Sequence, residues 1–140
     1  RVWEGLPLAA AAKLNVAEIA SGGSNIAVST GYKTGYVPPE ASTNVQSVDI
    51  AAETGVISIK YQPRVADKAK NLLVLIPFSG TEAKPAKLPA GTGIFSPVAD
   101  SIKWRCAAKG VTVTNVTVDT APTLEQRYAP AECRGATAAS

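Results

Sequence analysis

The chain has 140 residues, net charge +3, 46% hydrophobic and 18% charged residues, enough for one domain with a real core and too little charge for a disordered polyelectrolyte. It holds no His, which excludes Ser-His-Asp triads, Cys-His dyads and His-ligated metals. It holds no Met either, so the expectation is a chain that has lost its translation start.

Residues 1–21 read as helix. Val2, Leu6, Ala10 and Leu14 recur at i+4, with Trp3 and Ala17 beside them, and this stripe is the expected core face. Ala9 to Ala12 favour helix, and Gly22-Gly23 stops it. Pro7 either sets the start near Leu6 or bends a longer helix. Residues 22–44 form a long loop rich in Ser, Gly, Thr and Pro, which Ile26 to Val28 would pin to the body.

Strands follow over residues 45–107. Val45 to Ala51 and Val56 to Tyr61 flank Ala52-Glu53-Thr54-Gly55, a hairpin in which Gly55 supplies a positive φ. Ile57, Ile59 and Tyr61 alternate with Ser58 and Lys60, so one face is buried. Asn71 to Phe78 is apolar on both faces, which fits a central strand. Residues 79–100 are irregular, punctuated by Pro85, Pro89, Gly91, Gly93 and Pro97. A fourth strand, Ser101 to Ala107, turns Ile102, Trp104 and Cys106 one way and Lys103 and Arg105 the other. Val111 to Val118 is β-rich, and 135–140 is a loose tail. One helix followed by a four-stranded antiparallel meander reads as an α+β single domain, with the helix on one face of the sheet.

Cys106 and Cys133 are the two cysteines. Two thiols cannot complete a four-ligand zinc site, and no general base accompanies them. One disulfide is the simpler reading, and it implies an oxidising compartment. Closing the stretch between them would stabilise the fold by roughly 3–4 kcal/mol in the chain-entropy model. The basic residues are scattered, without the stripe that electrostatic DNA binding favours. Glu4, Asp49, Glu53, Asp100, Asp119, Glu125 and Glu132 are dispersed, so no paired-carboxylate or calcium site is expected, and neither a metal nor a cofactor. No run reaches the length that spans a bilayer.

Three segments carry a family resemblance. Glu4-Gly5-Leu6-Pro7-Leu8-Ala9-Ala10-Ala11-Ala12-Lys13 resembles the C-terminal half of the spine helix of type IV pilins, of the IVa class. Ile102-Lys103-Trp104-Arg105-Cys106 resembles their last sheet strand running into the first cysteine. Tyr128-Ala129-Pro130-Ala131-Glu132-Cys133-Arg134 resembles their closing segment. Pro7 departs from the pattern, which has a helix former there.

The resemblance implies a non-enzymatic structural subunit of an extracellular pilus filament on the cell surface. Adhesion, twitching motility and DNA uptake are the implied roles. The implied partners are other pilin subunits, host glycans or abiotic surfaces, weakly bound DNA, and the inner membrane through an apolar N-terminal helix that this chain lacks. The 140 residues then read as a head separated from that helix. Residues 22–44 correspond to the αβ-loop, and 106–133 to a disulfide-bounded loop facing neighbours and solvent. Candidate receptor contacts in the latter are Lys109, Thr112, Thr114, Asn115, Thr117, Thr123, Gln126, Arg127 and Tyr128. Ser140 is a candidate for O-glycosylation, whereas the Asn115-Val116-Thr117 sequon is read as chance. A minor pilin or a type II secretion pseudopilin is the alternative, and a secreted carbohydrate-binding domain a more remote one.

Overall fold

The computed structural model describes residues 9–23, 25–38, 40–42, 44–63, 70–80, 85–86, 88–89, 91–98, 102–111 and 122–125, with Ala129 and Cys133. Helix α1 spans Ala10–Gly22. Its alanines carry the helical propensity, and the Gly23 amide closes the last turn on the Ile19 carbonyl at 3.0 Å. The Val98 amide donates to the Ala20 carbonyl at 2.9 Å, which ties the segment 91–98 to the helix end.

The expected helix stripe faces the wrong way. Ala10 is exposed and Leu14 is 60% exposed; Val2 and Leu6 lie outside the described residues. The buried face is Ala9, Ala12, Val16 and Ala20. The reason is volume. The sheet fills the core with Ile, Leu and Tyr, and a helix face of small side chains fits against that layer. A test follows at once. Leu14→Gln should leave stability within about 0.5 kcal/mol of the parent, as surface changes do. Val16→Ala should cost about 2 kcal/mol, from two lost buried methyls and the cavity they leave. Urea unfolding of both variants reads the contrast directly.

Among the described residues five strands follow: β1 Val45–Ile50, β2 Ile57–Tyr61, β3 Leu72–Gly80, β4 Pro85–Ala86 and β5 Lys103–Ala107. The main sheet is antiparallel, with β2 paired to β1 and β3, and β5 on the far side of β3. The short β4 pairs with the end of β3 through Ser79 and Gly80, an addition to the expected four strands. The β1–β2 hairpin is the expected one, and Gly55 stands at φ 79°. The register shifts between Val45 and Ser47. That bulge explains why Val45, Val48 and Ile50 share the buried face although strict alternation would leave Val45 out.

Strand β3 is central, as its two apolar faces imply. Leu73 and Leu75 join the core under α1, together with Ile57, Ile59, Tyr61 and Cys106. Val74 and Ile76 face the other way and form a second cluster with Val56, Ala107 and Val111. Ile102 and Trp104 lean on the main core, half-buried, in the alternation expected for β5. Pro77 sits beyond Leu75, the last β3 residue paired with β2, where a missing amide is tolerated.

Candidate functional site

Two regions carry the functional expectation: the αβ-loop and the disulfide-closed edge. The αβ-loop is held by polar anchors and by one buried aromatic. A 3-10 turn at Gly31–Lys33 carries Tyr32 into the core, where no part of it is exposed. The Tyr32 hydroxyl donates to the Pro89 carbonyl at 2.7 Å, and its amide donates to the Ala52 carbonyl at 2.9 Å. Its ring lies 5.8 Å from that of Phe95, centroid to centroid. Three separate segments thus meet at one side chain: the αβ-loop, the β1–β2 turn and residues 88–95.

Glycines make room for this meeting. At Gly31, φ is +46°, and a Cβ there would stand 2.1 Å from the Ala52 carbonyl oxygen. At Gly91, a Cβ would stand 2.5 Å from the Tyr32 ring. From the helix side, Asn15 Nδ2 donates to the carbonyls of Tyr32 at 2.8 Å and Thr34 at 3.2 Å. The expected pin, Ile26 to Val28, works differently. Ile26 is 63% exposed, and the tie is the Val28 amide donating to the Thr92 carbonyl at 3.1 Å. Backbone pairing, not apolar burial, holds that stretch.

Burial pushes the Tyr32 phenol from 10.0 up to about 12. Burial, and then the charge of Asp49, raise Tyr36 as well. For Tyr32 the folded state holds its proton more tightly than the unfolded chain. The resulting stabilisation is fully present below about pH 10 and is lost as pH rises through about 12. A shift of this size amounts to roughly 2–3 kcal/mol. At pH 8, Tyr32→Phe should cost about 1–2 kcal/mol, because the half-buried Pro89 carbonyl loses its donor. Towards pH 12 the parent should weaken relative to the Phe variant, closing and then reversing the gap. Urea unfolding at both pH values tests this, and parallel losses in the two proteins would exclude Tyr32 as the source.

The second region is organised by a disulfide between Cys106 and Cys133, whose sulfurs are 1.98 Å apart. Both cysteines are buried. Backbone bonds extend this anchor: the Ala108 amide donates to the Cys133 carbonyl at 2.9 Å, and the Lys109 amide to the Leu124 carbonyl at 2.8 Å. Leu124 is buried, and the amides of Thr123 and Leu124 both donate to the Leu72 carbonyl at the start of β3. Lys70 and Glu125 approach to 3.4 Å at the edge of this junction.

Among the candidate contact residues, Lys109 is exposed. Thr123 is half-buried, and its hydroxyl accepts the Leu72 amide at 3.1 Å. That use makes Thr123 an anchor of the loop. Thr112, Thr114, Asn115, Thr117, Gln126, Arg127, Tyr128 and Ser140 lie outside the described residues. Tyr32 and Asn15 escaped the reading of the sequence. The signal available for Tyr32 was an aromatic beside Gly31 in an otherwise polar loop.

A helix on an antiparallel meander, with a disulfide tying the last described strand to Cys133, makes an α+β domain closed at its C-terminal edge. The pilin family, a family of bacterial filament proteins, matches residues 1–134, and the chain belongs to it. A crystal structure of a type IV pilin from Pseudomonas aeruginosa, strain Pa110594, is similar at 30% sequence identity and a TM-score of 0.68, covering 95% of each chain. No curated protein matches the chain. Its role is accordingly that of a structural pilus subunit that assembles with other pilin subunits.

Proposed function

We propose that this chain forms the outward head of a type IV pilus subunit, and that the filament serves surface adhesion, twitching motility and DNA uptake. The observation that carries the reading is the anchored start and end of region 106–133. The disulfide and the bonds to Leu72 and Leu124 hold it at fixed points on the sheet, with Lys109 exposed beside them. A scaffold of this kind presents variable loop residues at a constant position. Lys109, Thr112, Thr114, Asn115, Thr117, Gln126, Arg127 and Tyr128 are the proposed contact residues for a glycan or abiotic surface. Thr123 leaves that set, because its hydroxyl is spent on the Leu72 amide.

Two measurements test this reading. Antibodies against the head should decorate filaments on the source cells in electron micrographs, and label confined to filament-free membrane would reject a pilus subunit. The isolated head should bind surfaces or host cells, and Lys109→Glu should weaken that binding without changing stability. Equal binding by both would remove Lys109 from the contact set. Ser140 is proposed as an O-glycan site, and a C-terminal peptide of the native subunit with no added mass on Ser140 would reject it.

A further inference from the structure

Strand β1 is the outer strand of the sheet on the β2 side. The Ala51 amide donates to the Val56 carbonyl at 2.9 Å, so the ladder bonds of β1 fall on alternate residues. The main-chain groups of Val48 and Ile50 therefore turn away from β2, towards the outer side of β1. An edge of this kind is a template on which another strand can pair.

The αβ-loop bonds to this edge at several positions. The Ser42 amide donates to the Val45 carbonyl at 2.8 Å, and the Val45 amide donates to Ser42 Oγ at 3.1 Å. The Tyr36 hydroxyl donates to the Val48 carbonyl at 3.3 Å. Lys33 Nζ lies 3.4 Å from Asp49 Oδ1. The Tyr32 amide reaches the Ala52 carbonyl just past the strand. Val45 and Val48 are thus held through their main chain and Asp49 through its side chain by a segment that is not itself a strand, with Ala52 bonded just past β1. Asn15 clamps the same segment from the helix side.

We propose that residues 32–38 and 40–42 act as a strap on the β1 edge, which keeps a second copy of this chain from adding its own β1 strand there. The occupant that is blocked follows from the family. A filament protein meets identical copies at high local concentration, and an antiparallel β1–β1 pair is self-complementary. Closing the edge with side-chain and loop bonds leaves assembly to other faces of the molecule.

The test uses the 140-residue chain and the double variant Tyr36→Phe/Ser42→Ala. This removes two edge bonds and leaves the buried Tyr32 in place. Amide exchange at Val45, whose N–H loses its Ser42 Oγ acceptor, should accelerate about tenfold, the factor expected for losing roughly one net hydrogen bond of protection. Exchange at Leu73 and Leu75 in the central strand should stay as in the parent. Sedimentation should then show concentration-dependent association that the parent lacks at the same concentration. Faster exchange at the edge with an unchanged mass distribution would overturn the guarding role. Unchanged exchange at Val45 would overturn the strap itself. Should the double variant lose protection at Leu73 and Leu75, Ser42→Ala alone carries the same two measurements, with smaller changes expected.

Discussion

Replacing Cys106 and Cys133 together by serine should lower the stability of the fold by about 3–4 kcal/mol, with the larger share arising in the unfolded chain. The two residues are 27 positions apart, and without the cross-link the unfolded chain regains the freedom of that loop. The native state adds a second term. Both sites are buried, so each new hydroxyl needs a partner or costs about 1–3 kcal/mol more. A double alanine variant separates the two terms, because it cuts the cross-link without burying a hydroxyl. The damage should also be local at first. The Ala108 and Lys109 amides, bonded to Cys133 and Leu124, should exchange faster than those of the β1–β2 hairpin, which sits across the sheet. Urea unfolding should show a lower midpoint and a steeper slope, since the uncross-linked chain exposes more surface on unfolding. A loss below about 1 kcal/mol in both double variants would mean that the backbone bonds around Leu72 and Leu124 hold this edge without the disulfide.

The disulfide was legible because its logic is arithmetic: two cysteines, no histidine, no metal set. The strands were legible for a different reason. Ile57, Ile59 and Tyr61 announce a half-buried face by their spacing, and Leu72 to Ile76 announce a central strand by having no polar face. The helix face was misread because periodicity weights bulk. Leu14 scores strongly and Ala12 weakly, yet the core here accepts Ala12 and excludes Leu14. Nothing local in the sequence records how much volume the opposing sheet already fills. The loop anchors were hidden for a related reason. Tyr32 bonds to Pro89, 57 positions away, and Thr123 to Leu72, 51 positions away. Such pairs leave no trace in a window of neighbouring residues. Composition reads 22–44 as loop, but it does not distinguish a loose loop from one bonded along a strand edge.

The importance of those hidden anchors is greatest at Tyr32. Tyr32→Ala should destabilise the fold by about 3–5 kcal/mol, the range for truncating a large buried aromatic. The ring fills the space bounded by Gly55, Gly91 and Phe95. Those neighbours cannot collapse into the gap easily. Gly91 and Gly55 have no side chains to extend, and the Gly91 amide is bonded to the Glu53 carbonyl at 2.8 Å. The hydroxyl's partner, Pro89, is left with an unpaired carbonyl, which adds to the cost. Tyr32→Phe keeps the ring and loses only the hydroxyl, so the difference between the two variants isolates packing from hydrogen bonding. Packing should account for the greater part. The loop should respond before the whole fold does. With the ring gone, amide protection at Lys33 and Tyr36 should drop while that of Ile59 and Leu73 persists, because the latter belong to the sheet ladder. Equal stability of Tyr32→Ala and Tyr32→Phe in urea would show that the αβ-loop is held by Asn15 and the strand-edge bonds alone, with the aromatic incidental.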